Sequence, residues 1–409
     1  MKIFYGWFIV LAGFIITFAG MGVVNSMSGP LLVPITEELA FSRGAFTFHR
    51  TILFLLGALF MPLYGRLFER IGVKKVLLVS TVAAAILIFT FGFATELWHF
   101  YVLAAINSLV VSGPSFMSVG YMISRWFDAK RGFVTGLAFA GFGVGTTIFI
   151  PVATWLESMM GWQAVYHIIG IIVFVVVFPT VLFLVKDKPE DMGLEPYQGK
   201  AGVDKPKNHL INISFKDAMK TPIFWMLLIG FFLLAIMQGA PNFNAQAYLT
   251  DIGYTPDFAA MVMVVLMLAH TLGSLTLGGF FDKFGMMAGG LFLGIACIIF
   301  PMLAIFAEIP VFLWLFALLY GPASSGFVPV ALFVTFYFGG KDFALIFSVF
   351  NMVMQMAMAI SGPVLAVIYD FSGSYFWGWI MLAGFGVVIT ICLSVANFLN
   401  NKQLHCDKV

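Results

Sequence analysis

The chain has 409 residues, 61% of them hydrophobic and 10% charged, with a mean hydropathy of +1.02 and a formal net charge of +2. Soluble domains carry about 25% charged residues, so this much apolar surface cannot be hidden in a water-facing fold and its solvent is lipid. The small positive charge does not point to nucleic acid, because the basic residues concentrate on one side of the membrane, as follows from the predicted elements.

Windows of about 20 apolar residues mark membrane-spanning helices. They predict spans over 6–34, 43–64, 75–96, 98–126, 132–157 and 162–185. A polar segment, 186–220, comes next. Six more spans are predicted over 222–249, 256–280, 286–306, 309–338, 342–369 and 373–400, followed by a tail over 401–409. The first apolar run begins near Tyr5 and passes Gly22, too long for a signal-peptide core, so it reads as an uncleaved first span. The expected fold class is all-α integral membrane. It comprises two six-helix bundles, 1–185 and 221–400, joined by a solvated cytoplasmic linker, 186–220.

With both ends inside, 19 of the 21 Lys and Arg fall on cytoplasmic segments, and the exceptions are Arg43 and Arg50. That bias sets the expected orientation: a multi-pass protein of the bacterial inner membrane with cytoplasmic termini. Cys297, Cys392 and Cys406 show neither metal-ligand spacing nor a disulfide framework, and no nucleotide-binding loop is present. No cofactor, metal or enzymatic activity is expected. Transport, if this is the function, must be driven by gradients.

The halves repeat. Gly65-x-x-x-Glu69-Arg70-x-Gly72 follows the second span, and Gly278-x-x-x-Asp282-Lys283-x-Gly285 follows the eighth. Gly113-Pro114 matches Gly321-Pro322, and Pro151-Val152 matches Pro363-Val364. Such repeats build alternating-access transporters that bind substrate near the bilayer midplane, between the repeats.

At these residues the chain resembles the major facilitator superfamily. Gly65-x-Leu67-x-Glu69-Arg70-x-Gly72-x-Lys74-Lys75 is similar to the family signature between helices 2 and 3, with Glu69 in place of the usual Asp. Tyr5-Gly6-Trp7, Phe41-Ser42-Arg43, Arg125-Trp126-Phe127-Asp128-Ala129-Lys130-Arg131-Gly132 and Thr221-Pro222-Ile223-Phe224-Trp225 narrow the resemblance. They resemble the prokaryotic monocarboxylate-transporter-like group, which includes oxalate–formate antiporters. The resemblance implies a secondary transporter, working as a monomer on a small organic anion such as a monocarboxylate, with protons as a candidate coupling ion. It also implies that the two repeated motifs (Gly65, Glu69, Arg70, Gly72 and Gly278, Asp282, Lys283, Gly285) latch the halves on the cytoplasmic face. The plainer reading of these motifs is topology-setting charge. Two departures stand out. Ser274 occupies the place of a family Arg in helix 8, and helix 11 has no Lys between Asp342 and Asp370, so two-charge recognition of a dicarboxylate is not expected. The first of these departures favours the alternative of a transporter or exporter of neutral or hydrophobic compounds. A non-transporting membrane sensor is a third reading.

Depth selects the candidate site. His270 lies about 12 Å from the inner boundary at Gly278, with Ser274 one turn away on the same face. Asn351 lies about 15 Å from Lys341, with Gln355 following on its face. These four are expected to bind a small polar substrate, His270 also being able to carry a proton; the alternative is interhelical hydrogen bonding. Asn25 and Ser115 are further substrate-binding candidates, Ser115 also being suited to relieving the backbone at its Gly-Pro kink. Gln238, Asn242 and Gln246 form a stripe that suits an outer vestibule wall or a solvated helix end. Arg50 lies about 22 Å from the inner boundary, near the outer mouth with His49. It suits a gate paired with Glu37, Glu38 or Asp251, or an attractor of anions.

Overall fold

The computed structural model describes residues 4–198, 213–339 and 342–406. Lys2, Lys200, Lys205, Lys207, Lys341 and Lys408, all used in the orientation argument, lie outside the described residues, as do the side chains of Lys402 and Cys406. The chain divides into two compact units, Met1–Gly199 and Lys200–Val409.

Ten described helices are long and apolar enough to cross a membrane. Two of them are too long for a single crossing. Arg131–Leu184 has 54 residues, an unbroken length of about 81 Å against a hydrocarbon core of about 30 Å. Gly161, at φ +79°, breaks it, and Gly285, at φ +81°, breaks Pro256–Ile305 in the same way. Positive φ is cheap only for glycine, so each marks a turn between two spans.

Twelve membrane segments result. In unit 1 they are α1 (Gly6–Ser26), α2 (Arg43–Ile71), α3 (Val73–Phe91), α4 (Leu97–Trp126), α5 (131–160) and α6 (162–184). In unit 2 they are α7 (Pro222–Asp251), α8 (256–284), α9 (286–305), α10 (Pro310–Phe338), α11 (Phe343–Ser372) and α12 (Phe376–Cys406). No strand forms among the described residues, and the protein is an all-α, multi-pass membrane protein. Its outer surface is apolar where a soluble protein would be polar, with Val79 71%, Phe183 73% and Phe371 89% exposed. Lipid covers such side chains at no cost.

Helix starts follow capping chemistry. Ser42 Oγ accepts the Ala45 amide at the start of α2, and Thr221 and Thr255 do the same for α7 and α8, each followed by Pro at the first helical position. Inside unit 1, α1 and α5 approach until backbones touch. Side chains at Gly141 and Gly145 would strike the Phe14 and Phe18 carbonyls, and Thr17 and Thr146 hydroxyls bond across the same contact, to Ala138 O and Gly22 O. Along this contact α1 widens into a π-helical stretch, Ile16–Val23.

Four predicted elements differ from the structure. The first span ends at Ser26, and after a turn containing Gly29-Pro30 a short helix, Leu32–Glu38, continues the chain. α4 and α10 are each interrupted within the membrane, at 112–115 beside Gly113-Pro114 and at 325–326 after Gly321-Pro322. The start of the polar segment is not a free linker. Trp126 Nε1 donates to Lys186 O, and Tyr197 pairs with the 126–129 backbone while its ring packs on Phe4 and Phe127. Residues 186–198 therefore belong with unit 1, because their aromatic and backbone groups find partners there.

Candidate functional site

In unit 1, Arg50 has a small set of neighbours. This residue sits on α2, about 10 Å along the helix from Arg43. Its Nη2 donates to Asn25 Oδ1 of α1 at 3.4 Å, and its guanidinium carbon lies 5.9 Å from the centre of the Phe54 ring. Tyr166 of α6, itself buried, lies within electrostatic range of the same guanidinium. Among the described residues no carboxylate forms an ion pair with Arg50. Glu38, one of the expected partners, accepts instead from Trp162 Nε1 at 2.8 Å and Gln163 Nε2 at 3.0 Å. A half-buried guanidinium held by an amide and a ring keeps its full charge, and that charge is attractive to an anion.

The other unit 1 candidates are engaged locally. His49 is buried against Phe46, Phe91 and Phe100, with Nδ1 2.5 Å from Phe46 O, so its ring belongs to an aromatic cluster. Ser115 Oγ donates to Ser112 O at 2.7 Å, which repairs the backbone at the α4 break.

In unit 2, α8 crosses α10 where Gly273 meets Gly321; a side chain on Gly321 would strike the Ala269 carbonyl. This closeness places His270 and Ser274 against two serines that sequence reasoning missed. His270 Nδ1 lies 3.0 Å from Ser324 Oγ, and Ser274 Oγ donates to Ser325 Oγ at 3.1 Å. Ser325 Oγ reaches both Gly321 O, at 2.8 Å, and His270 O, at 3.3 Å. All four side chains are buried. The signal was available: Ser324-Ser325 follows Gly321-Pro322 by one turn, where a kinked helix frees backbone groups for hydroxyls.

Asn351 and Gln355 are not tied to this cluster by the hydrogen bonds present. Asn351 Nδ2 donates to Phe347 O of its own helix at 2.7 Å, and Gln355 is half-buried on the next turn. Along α7 the stripe grades outward: Gln238 is buried, Asn242 half-buried and Gln246 exposed. Tyr320 of α10 donates to the Gln238 carbonyl at 2.8 Å. Asn244, off the stripe and also missed, donates to Ala240 O at 3.0 Å and Gly362 O at 3.2 Å, joining α7 to α11.

The repeated motifs end α2 and α8. Gly65 and Gly278 are buried, whereas Glu69, Arg70, Asp282 and Lys283 are exposed. Gly72, at φ +87°, turns the chain into α3, and Asp187 fills the space beside it, accepting the Lys74 amide at 2.9 Å. Gly285 makes the corresponding turn with open space around it.

A family model for the Major Facilitator Superfamily matches residues 10–335. Relatives include monocarboxylate transporter 13 of Bos taurus, 22% identical over 95% of this chain and 89% of that protein, and its Rattus norvegicus counterpart, 23% identical over 96% and 91%. An uncharacterized transporter of this type from Escherichia coli, YhjX, is 26% identical over 67% of this chain and 66% of its own. The solved structure of FucP in its outward conformation, from the same superfamily, covers 95% of this chain and 98% of its own at a TM-score of 0.71 and 16% identity, a likeness of fold. The matched model, the twelve segments and the repeated Gly65 and Gly278 motifs agree: the chain belongs to the major facilitator superfamily and is a transporter, not an enzyme.

Proposed function

We propose that the chain is a secondary active transporter of a small organic anion, a monocarboxylate in the first instance, working by alternating access. One observation carries this reading: Arg50, half-buried in a membrane-spanning helix, has an amide and an aromatic ring for partners and no carboxylate among the described residues. A charge left uncompensated in that setting is costly unless it serves a ligand. The names of the monocarboxylate-transporter relatives support the same class. His270, near the middle of α8 and bonded to Ser324, is the candidate for proton coupling. The orientation that goes with this reading has cytoplasmic termini in a bacterial inner membrane, with Glu69-Arg70 and Asp282-Lys283 acting as cytoplasmic latches. A second reading, transport of neutral compounds, is favoured by Ser274 standing where the family resemblance calls for Arg.

Counterflow of a labelled monocarboxylate in proteoliposomes tests the first reading. The wild type should show saturable exchange. Arg50→Gln should lower apparent affinity at least about tenfold, the scale of one lost charge-assisted hydrogen bond. Saturable uptake of neutral solutes alone would move the assignment to the second reading.

A further inference from the structure

The internal repeat shows which polar groups the architecture itself requires. In α1 and α7, Gly13, Gly22 and Asn25 match Gly230, Gly239 and Asn242 at a displacement of 217. In α2 and α8, the capping residues Ser42 and Thr255, and the pairs Gly65/Gly278 and Gly72/Gly285, match at 213. In α4 and α10, Gly113-Pro114 matches Gly321-Pro322 at 208. On this register Gln238, His270, Ser274, Tyr320, Ser324 and Ser325 of unit 2 correspond to Met21, Gly57, Met61, Ser112, Phe116 and Met117 of unit 1. Five of the six unit 1 counterparts are apolar or glycine. The corresponding helices of unit 1 thus pair largely without these polar side chains, so the shared plan does not require them in unit 2.

They are also bonded to one another in smaller sets. Tyr320 donates to the Gln238 backbone, Ser324, one turn on, bonds His270, and Ser325 bonds Ser274. Gln238 adds a further feature. Its side chain is 7% exposed, and Oε1 is buried with no hydrogen-bond partner among the described residues. Burying an amide oxygen without a donor is costly, and such groups in native proteins call for an explanation. Asn107 of unit 1 also has a buried, unpartnered Oδ1, but its neighbour Ser108 bonds its own helix, and among the described residues no side-chain hydrogen bond ties either to another helix.

We infer that Gln238, with Tyr320 bonded to its backbone, forms a neutral subsite in unit 2 for adjacent hydroxyl groups, so that the transported anion is a carboxylate bearing a vicinal diol. An amide edge presents an acceptor and a donor side by side, and two neighbouring hydroxyls, each able to donate and accept, match it in either orientation. The Tyr320 phenol, its proton given to the Gln238 backbone carbonyl, can still accept a bond from a hydroxyl. This inference rests on the organic-anion reading above.

Calorimetric titration of the full-length, detergent-purified protein with glycerate, lactate and propionate tests it. These three-carbon acids carry two, one and no hydroxyls. Glycerate should bind about tenfold or more tighter than propionate, with lactate between them. Gln238→Leu should collapse that ratio towards one, and Tyr320→Phe, which keeps the ring, should shrink it by a smaller factor. Should the leucine variant fail to give a monodisperse protein, Tyr320→Phe decides alone. Equal wild-type affinity for the three acids overturns the subsite and leaves the anion reading standing. A ratio untouched by both substitutions also overturns it. If the wild type binds none of the three, the anion reading fails and the subsite with it.

Discussion

Arg50 in unit 1 and Met263 in unit 2 occupy the same place in their helices: each lies eight residues after a capping hydroxyl, Ser42 or Thr255, and fifteen before a motif glycine, Gly65 or Gly278. At the neighbouring α1 and α7 position both units keep an asparagine, Asn25 and Asn242. The guanidinium therefore exists in one unit only, while its amide partner persists in both. The α8–α10 crossing reverses the pattern, with His270, Ser324 and Ser325 where unit 1 has Gly57, Phe116 and Met117. Two units on one helical plan have divided their polar chemistry, a cation in the first and neutral hydrogen-bonding groups in the second. The backbone plan tolerates either, so what differs between the units is the better guide to function, and what they share is the guide to stability.

The largest effect should come from breaking what is shared. Gly145 in unit 1 and Gly321 in unit 2 each lie against a neighbouring helix backbone, Phe18 O and Ala269 O respectively. Leucine at either place has no route to relieve the overlap, because the obstructing atom is main chain. Each substitution should destabilise by about 3 kcal/mol or more, at the upper end of overpacking costs. Size-exclusion profiles and thermal melts in detergent would show it as loss of the folded monodisperse peak. A normal melt for Gly321→Leu would mean that α8 and α10 are free to separate, and the polar cluster would lose its structural basis.

A smaller effect separates the two motif turns. Gly72 (φ +87°, ψ 148°) and Gly285 (φ +81°, ψ 177°) share a backbone region open essentially only to glycine, so alanine at either carries about 1–3 kcal/mol of strain. At Gly72 the added methyl also meets the Asp187 carboxylate, 2.8 Å from where Cβ would lie, and threatens its bond to the Lys74 amide; at Gly285 nothing is near. Gly72→Ala should therefore lower the melting temperature more than Gly285→Ala, by about a further 1 kcal/mol, the typical worth of a capping carboxylate. Asp187→Ala should reproduce that extra loss alone. Equal melting shifts for the two glycine variants would show that the motifs differ in charge only.

Much of this was legible in the sequence, for identifiable reasons. Twelve spans follow from apolar runs, and the turns at Gly72 and Gly285 follow from the repeated motif, because both signals are local. Arg50 and His270 stand out because ionisable residues are rare within apolar stretches. The partners are another matter. Glu38 looked equally available to Arg50, but its carboxylate is taken by Trp162 and Gln163, 124 and 125 residues away in the chain. Asp187 sat in a run of alternating charges that reads as solvated linker, and only the return of 186–198 onto unit 1 gives it a helix to cap. Ser324 and Ser325 looked like ordinary small residues in an apolar helix until the Gly273–Gly321 contact brought α8 against them.

The smallest expected effect tests whether that contact is polar by necessity. Ser324 in unit 2 and Ser112 in unit 1 both place a hydroxyl at the crossing of the second and fourth helices of their unit. Ser112 Oγ donates to Gly57 O at 3.2 Å, but that carbonyl already accepts a bond within α2, so Ser112→Ala removes a supplementary interaction. Its cost should be about 0.5 kcal/mol, the low end for an intramolecular hydrogen bond. Ser324 Oγ instead meets a side chain, His270 Nδ1, in a buried setting. Ser324→Ala removes that bond together with the one Ser324 Oγ gives to Gly321 O at 3.0 Å, and should cost about 1–2 kcal/mol, the scale of two modest buried hydrogen bonds. Parallel thermal melts of the two variants read the difference directly. A larger shift for Ser324→Ala supports a histidine held in one orientation by its serine, as a proton-carrying or ligand-binding group requires. Equal shifts would mean that His270 is held by the crossing itself, and the division of chemistry between the units would then rest on Arg50 and Gln238.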